Sequence, residues 1–322
     1  LINTIRKQLD NKKQSLIYLN RRGYSPATVC IGCGHVEECP RCDTSLVLHK
    51  SKAKLICHHC STSKNWEENC KVCGESVAPL GKGTEQIEEY LREQFPKTNI
   101  IRIDKDTVKS KNSRKEMLSQ AKSGKGEILL GTQMLAKGHD FSNLTFVGIL
   151  DVDVGLLSMD FRATEHLAQL LIQVSGRAGR SDHKGEVSIQ TRYPNHPIFN
   201  FIRSSQYTKY ASTLLKEREK TQLPPYSHQA LICANSKNKN NAEKFLNKVS
   251  DLLKKIDIDS VEIWGPVPAV IEKKANYYYF NLYLQSINRN QLHRVIKTFY
   301  KHLETINAKT SVRWFLDVDP ID

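Results

Sequence analysis

Apolar residues at Ile2, Ile5 and Leu9 recur at helical spacing, and the run Leu16-Ile17-Tyr18-Leu19 reads as a short buried strand. Asn20-Arg21-Arg22-Gly23 closes it with turn chemistry. The pattern pauses and then resumes with a helix face of Ile87, Tyr90, Leu91 and Phe95, preceded by Gly81-Lys82-Gly83-Thr84. Strands are predicted at 99–103, 127–130, 145–150 and 185–190, with helices at 115–121 and 165–174. Strands alternating with helices predict a parallel sheet in an α/β layer fold. The strands are near-continuous apolar runs, which fits burial on both faces. A charged helix over 209–220 and the rigid break Leu223-Pro224-Pro225-Tyr226 place a boundary near there. Beyond it the order is strand 229–234, helix 242–255, strands 260–264 and 277–284, helix 289–305 and strand 312–317. That βαββαβ order predicts a ferredoxin-like sandwich.

The pause between the first strand and the Ile87 helix holds eight of the nine cysteines, in four C-x-x-C pairs: Cys30/Cys33, Cys39/Cys42, Cys57/Cys60 and Cys70/Cys73. Each C-x-x-C turn presents two thiolates to one tetrahedral ion, and two turns close the shell. Eight thiolates therefore predict two structural Zn2+ sites with no open position for catalysis. Iron–sulfur ligation is the rival, but these spacings resemble zinc ribbons more than ferredoxins. The segment 43–56 reads as a hairpin, which brings Cys39/Cys42 and Cys57/Cys60 to one ion and leaves Cys30/Cys33 and Cys70/Cys73 for the other. Side-by-side pairing is the alternative. His58 and His59 are read as non-ligands, and Cys233, alone in a predicted strand, as a core residue.

Charge adds a partner class. Lys+Arg number 48 against 34 Asp+Glu, a net charge of +14, which favours an anionic partner, nucleic acid first. Hydrophobic residues at 39% and charged residues at 25% exclude wholesale disorder. No apolar run of about 18 residues suggests a membrane span, and the first residues lack a secretory pattern, so a cytoplasmic location is expected. Leu1 is not Met, and a fragment of a longer chain is expected.

Two segments carry chemistry. Gln173-Val174-Ser175-Gly176-Arg177-Ala178-Gly179-Arg180 ends a predicted helix with Arg177 and Arg180 on one face. Glycines allow close backbone approach, and guanidinium groups grip phosphate and stabilise charge on a transferred phosphoryl. The bland reading is a basic helix end. Gly131-Thr132-Gln133-Met134-Leu135-Ala136-Lys137-Gly138-His139-Asp140-Phe141 follows a buried strand, where open α/β sheets bind ligands. Thr132, Gln133 and Lys137 are candidates for a nucleic-acid phosphate, Gly138 and Asp140 for a nucleotide. Near the C-terminus, Lys273 and Lys274 precede Tyr277-Tyr278-Tyr279-Phe280, basic residues beside aromatics that suit phosphate contact with base stacking. Tyr277 and Tyr279 share one strand face.

Together these segments resemble motifs V and VI of superfamily 2 helicases. With Leu19-Asn20-Arg21-Arg22-Gly23, the C-x-x-C pairs, Gly83-Thr84-Glu85-Gln86, Asp104-Lys105-Asp106-Thr107, Leu150-Asp151-Val152-Asp153 and Asp317-Val318-Asp319-Pro320, nearly the whole chain resembles the C-terminal half of the primosomal protein N′ (PriA) family of replication-restart helicases. The resemblance implies a RecA-like second helicase lobe (1–28 and 76–205), a cysteine-rich two-zinc insertion (29–75) and a C-terminal domain (206–322) that contacts branched DNA. It implies Arg180 as arginine finger, Arg177 as its γ-phosphate neighbour, and Gln173 and Gly176 at the same nucleotide interface. It also implies ATP and Mg2+ in the full-length protein, binding to branched or single-stranded DNA, to other primosome proteins and to the acidic tail of single-stranded DNA-binding protein (SSB). Arg289 and His293, one helical turn apart, are candidates for that tail; a solvated helix face is the alternative. The phosphate loop G-x-x-x-x-G-K-[ST] and a D-E-x-H run are absent from the sequence, so this chain alone is expected not to hydrolyse ATP. The competing expectation is a non-catalytic, zinc-dependent DNA- or SSB-binding module.

Overall fold

A computed structural model describes residues 1–20, 27–49, 53–80, 84–104, 107, 110–132, 135, 141–158, 160–179, 184–255, 260–307 and 311–321. The chain opens with α1 (Ile2–Asp10) and β1 (Gln14–Leu19). The cysteine segment contributes β2 (Ala27–Cys30), β3 (Val47–His49), β4 (Lys54–Ile56), β5 (Ser63–Asn65) and β6 (Val77–Leu80). Then follow α2 (Thr84–Gln94), β7 (Ile100–Ile103), α3 (Lys111–Lys122), β8 (Ile128–Gly131), β9 (Leu144–Leu150), α4 (Asp153–Leu156), α5 (Ala163–Ser175), β10 (Glu186–Ile189), α6 (Pro197–Arg203) and α7 (Tyr207–Lys220). The last stretch is β11 (His228–Ser236), α8 (Lys239–Lys254), β12 (Glu262–Lys274), β13 (Tyr277–Ser286), α9 (Arg289–Asn307) and β14 (Arg313–Val318). Two compact units result: Leu1–Pro26 with Gly81–Ser212, and Ala27–Leu80 with Thr213–Asp322.

The first unit is built on a five-stranded sheet in the order β10-β9-β1-β8-β7, with every pairing parallel. β1 lies in the middle and all six of its residues are buried. Ile17, Leu19, Ile128, Leu130 and Phe146 pack with Ile5 of α1 and with Ile87, Leu91 and Phe95 on and after α2. Side chains alternate along a strand, so Leu16, Tyr18, Leu129 and Val147 point to the other face, and they too are buried. That two-sided burial explains the unbroken apolar runs. On α5, Leu167, Ala168, Leu171 and Val174 form the buried stripe. Ser110 caps α3, its side chain accepting the Ser113 N–H at 3.1 Å.

Because all five strands run the same way, Asp104, Thr132 and Asp151, each following a strand, lie at the carboxyl edge of the sheet. Leu144, where β9 starts, lies at the amino edge. Gly131 must remain glycine, because a Cβ there would overlap the backbone carbonyl of Ile103 on neighbouring β7. Gly131→Ala is expected to destabilise the protein by about 1–3 kcal/mol, measured as a lowered urea midpoint at unchanged m-value.

The second unit contains two antiparallel sheets. One has the order β12-β13-β11-β14. Ile232, Ala234, Phe280, Leu282 and Leu284 from it form a core with Phe245, Leu246 and Val249 of α8 and with Leu292, Val295 and Phe299 of α9. Cys233 is buried, and burial pushes its thiol up to about 11, as suits a core residue. The other sheet, β5-β4-β3-β2-β6, belongs to the cysteine segment. Its core is small: Leu46 and Leu55 with Cys39, Cys42 and Cys57, flanked by Leu48, Cys60 and Trp66.

Candidate metal and nucleotide centres

The cysteine sheet folds the chain so that knuckles meet in pairs. β3 and β4 form the hairpin that separates Cys39/Cys42 from Cys57/Cys60, with Val47 opposite Ile56 and His49 opposite Lys54. β2 and β6 pair at Cys30–Val77, which brings the outer knuckles together. The thiols gather as Cys30, Cys33, Cys70, Cys73 and as Cys39, Cys42, Cys57, Cys60, with all sulfurs of a group within 4.8 Å of one another. These are the nested groups expected from the sequence. His58 and His59 belong to neither; His58 instead faces His49, with their Nε2 atoms 3.0 Å apart.

The donor set fits a tetrahedral thiophilic ion. Bonds of about 2.3 Å from zinc to sulfur require sulfurs about 3.8 Å apart. The Cys30–Cys73, Cys33–Cys70 and Cys39–Cys60 pairs stand at 3.3, 3.7 and 3.6 Å. Backbone amides point at the sulfurs: Cys33 N–H to Cys30 Sγ at 3.5 Å, Arg41 to Cys39 at 3.4 Å and Val72 to Cys70 at 3.4 Å.

These contacts split the thiols within each group. At Cys30 the Cys33 amide leads the interactions that draw the thiol down to about 6. At Cys73 the Glu75 backbone contact favours the thiolate, but the neighbouring Cys30, Cys33 and Cys70 outweigh it and the thiol is pushed up to about 12. Burial pushes Cys42 up to about 12. Burial also acts against the Cys60 thiolate, yet the Thr62 hydroxyl and amide more than offset it and bring Cys60 to about 6.

In the first unit, α5 ends at Ser175, and the segment behind it turns tightly. Arg177 N–H donates to the Val174 carbonyl at 3.0 Å, and Ala178 N–H to that of Ser175 at 3.1 Å. Gly179 N–H then donates to the Leu144 carbonyl at 3.0 Å. Gly185 lies so close to the Ala178 backbone that a Cβ would collide with it, so the return strand presses on this turn. Arg177 is buried, 9% exposed, whereas Gln173 and Gly176 are exposed. The Gly179–Leu144 bond places the arginine segment at the amino edge of β9, three residues after Phe141, which ends the other motif. Thr132, half-buried, follows β8 at the opposite edge. Gln133, Lys137, Gly138, Asp140 and Arg180 lie outside the described residues.

A cluster at the carboxyl edge was not assigned chemistry from sequence. Thr84 Oγ1 donates to Asp104 Oδ2 at 2.6 Å, and Thr107 N–H to Asp104 Oδ1 at 2.9 Å. Arg102 lies against Glu88 at 3.0 Å, Asp104 at 3.3 Å and Glu85 at 3.5 Å. The signal was present in Gly83-Thr84-Glu85 and Asp104-x-x-Thr107, whose polar residues had no partner until the fold joined them. Asp151 adjoins the same edge, and burial followed by the Asp153 charge raises its carboxyl above the usual range.

In the second unit, Lys273 reaches the Pro40 carbonyl through Nζ at 3.3 Å, and Lys274 is exposed. The Arg313 guanidinium stands over the Tyr277 ring at 5.3 Å. Arg289 and His293 are both exposed in the first turns of α9.

Two family models match this chain: "Helicase conserved C-terminal domain" over residues 51–182 and "Primosomal protein N C-terminal domain" over residues 219–321. The replication restart protein PriA of Haemophilus influenzae is 40% identical over 323 residues, covering 100% of this chain and 44% of that protein. The PriA proteins of Rickettsia felis and Bacillus subtilis are 35% and 33% identical, each over 99% of this chain and over 49% and 40% of their own lengths. Over its whole length the chain is similar to the C-terminal part of PriA proteins. It spans less than half the length of these PriA relatives. The first unit is a helicase C-terminal, RecA-like lobe on a parallel sheet. The PriA C-terminal match begins at residue 219 within α7, close to where the two compact units divide. Among the described residues, no helix of the chain is long and apolar enough to cross a membrane.

Proposed function

We propose that this chain is the second motor lobe and C-terminal region of a cytoplasmic, ATP-dependent 3′-to-5′ DNA helicase that recognises stalled forks and restarts replication by primosome assembly. The observation that carries the reading is the bond from Gly179 to Leu144, because it ties the arginine segment to the start of β9, three residues after the end of the other helicase motif. Arg177 and Arg180, with Gln173 and Gly176, would face the nucleotide there, together with Gly138 and Asp140. Arginine suits this task because its planar fork stabilises the charge that spreads over a transferred phosphoryl group. Thr132, Gln133 and Lys137 would grip a DNA phosphate, so that a nucleotide-driven movement at one end of this segment alters the hold on DNA at the other.

In this reading residues 1–28 and 76–205 form the lobe, 29–75 the two-zinc module and 206–322 the C-terminal domain, with the outer strands β2 and β6 extending the module's sheet to Ala27 and Leu80. Each four-thiol group would hold one Zn2+ as a structural cross-link; with four sulfurs bound, no position is left for substrate. The strand order β12-β13-β11-β14 with α8 and α9 supports a ferredoxin-like sandwich. Lys273, Lys274 and Tyr277 are its DNA candidates, and Arg289 and His293 its candidates for the acidic SSB tail.

ATP and Mg2+ require a phosphate-binding loop, and that pattern does not occur in these 322 residues. The isolated chain is therefore expected to show no DNA-stimulated ATP hydrolysis, while the full-length protein turns ATP over and unwinds forks. Steady turnover by the isolated chain would overturn the assignment.

A further inference from the structure

The two thiol groups differ in what stands behind them. The amides that approach Cys30 and Cys70 come from within the same knuckles. Cys42 is approached from far along the chain: Ala275 N–H donates to its sulfur at 3.2 Å. Ala275 and Asn276 form the tip between β12 and β13, and both have positive φ, 54° and 65°, as a two-residue type I′ turn requires. The tip is fastened on both sides. Asn276 N–H donates to the Arg41 carbonyl at 2.9 Å, and Asp43 N–H to the Lys273 carbonyl at 2.9 Å. Lys273 N–H returns to Asp43 Oδ2 at 2.8 Å, and its ammonium reaches the Pro40 carbonyl at 3.3 Å. Residues 40–43 are thus bonded to 273–276 by five hydrogen bonds, one of them to a metal-ligand sulfur.

We propose that the β12–β13 tip is the outer shell of the Cys39–Cys42–Cys57–Cys60 centre, with Asp43 and the Ala275 amide as positioning residues for Cys42. An N–H directed at a thiolate offsets its charge and fixes the sulfur lone pairs toward the ion. The Asp43–Lys273 exchange holds that N–H in place. The metal of this centre and the docking of the hairpin then stand or fall together, while the Cys30–Cys33–Cys70–Cys73 centre is independent of the hairpin. The inference rests on the reading of both groups as metal sites.

The test uses the whole chain loaded with two Zn2+ and challenged with a chromogenic chelator. Asp43→Ala is expected to weaken the hold on one ion about 10–100-fold, the range for lost outer-shell partners, and to leave the other unchanged. Asp43→Asn keeps an acceptor for Lys273 N–H and is expected to restore wild-type release, which a general loss of folding would not allow. In the wild type, stripping the metal is expected to remove hydrogen-exchange protection from Ala275 and Asn276 while Ile232 and Ala234 stay protected. Unchanged release of both ions in Asp43→Ala, equal acceleration of both, or tip protection that survives stripping would each overturn the proposal. A wild-type chain that binds fewer than two ions overturns the metal reading itself, a result distinct from all three.

Discussion

Stripping the metal with a strong chelator is expected to unfold residues 27–80 while the parallel sheet of the first unit keeps its structure. Among its described residues the cysteine module buries three aliphatic side chains, Leu46, Val47 and Leu55, and sulfur makes up the rest of its central cluster. Burying a leucine contributes about 1.5–3 kcal/mol, far below the conformational entropy of ordering so long a segment at about 1–2 kcal/mol per residue. Four-thiolate zinc binding contributes about 10–16 kcal/mol per site, several times what either leucine supplies, so removing the ions takes away the largest stabilising contribution local to this module. Cys57→Ser, at a fully buried ligand, is expected to halve the zinc stoichiometry from two to one. Metal analysis beside proteolysis reads the outcome. A module that stays protease-resistant without metal would show that the strands, rather than the ions, hold it.

The second large effect belongs to the arginines. In the full-length protein, Arg180→Ala is expected to lower DNA-stimulated ATP turnover by about 10³–10⁵-fold, the range for a lost arginine finger, and to abolish unwinding while DNA binding survives. Arg177→Ala should also be inactive, but Arg177 is buried, so its loss should lower the unfolding midpoint as well. Separating the two variants by thermal unfolding distinguishes a residue that meets phosphate from one that also holds the turn together. Unwinding at the wild-type rate by Arg180→Ala would remove it from the nucleotide site.

How much was legible depended on how local the signal was. β1, β8 and β9 were readable because a strand buried on both faces leaves an apolar run, and α5 because its stripe repeats at 3.6 residues. β3 and β4 were readable from a short hairpin pattern. β2 and β6 were not: each is four residues long, and they pair across the whole cysteine segment, so no turn between them announces the match. β12 was expected to stop near Trp264, before Gly265-Pro266-Val267-Pro268. It continues to Lys274 because it is an edge strand, where a proline's missing N–H costs no ladder bond, and its register shifts at Trp264/Val267 and Pro268/Lys273 absorb the irregularity. α6 was missed although Pro197 stands at its first turn and His196 caps it, a start signal carried by a single side chain. The thiol groups followed from spacing plus one hairpin. The link from Asp43 to Lys273 followed from nothing in the pattern, since two such residues carry no mark of each other.

That link spans 230 positions. A ribosome adding about 5–20 residues per second delivers the partner of Asp43 about 10–50 s after Asp43 itself. For that interval the nascent thiols must find their ion with no C-terminal domain behind them, or stay open to oxidants. On the metal reading proposed above, the timing of metal delivery during synthesis is expected to affect the yield of correctly assembled protein alongside affinity in the finished molecule.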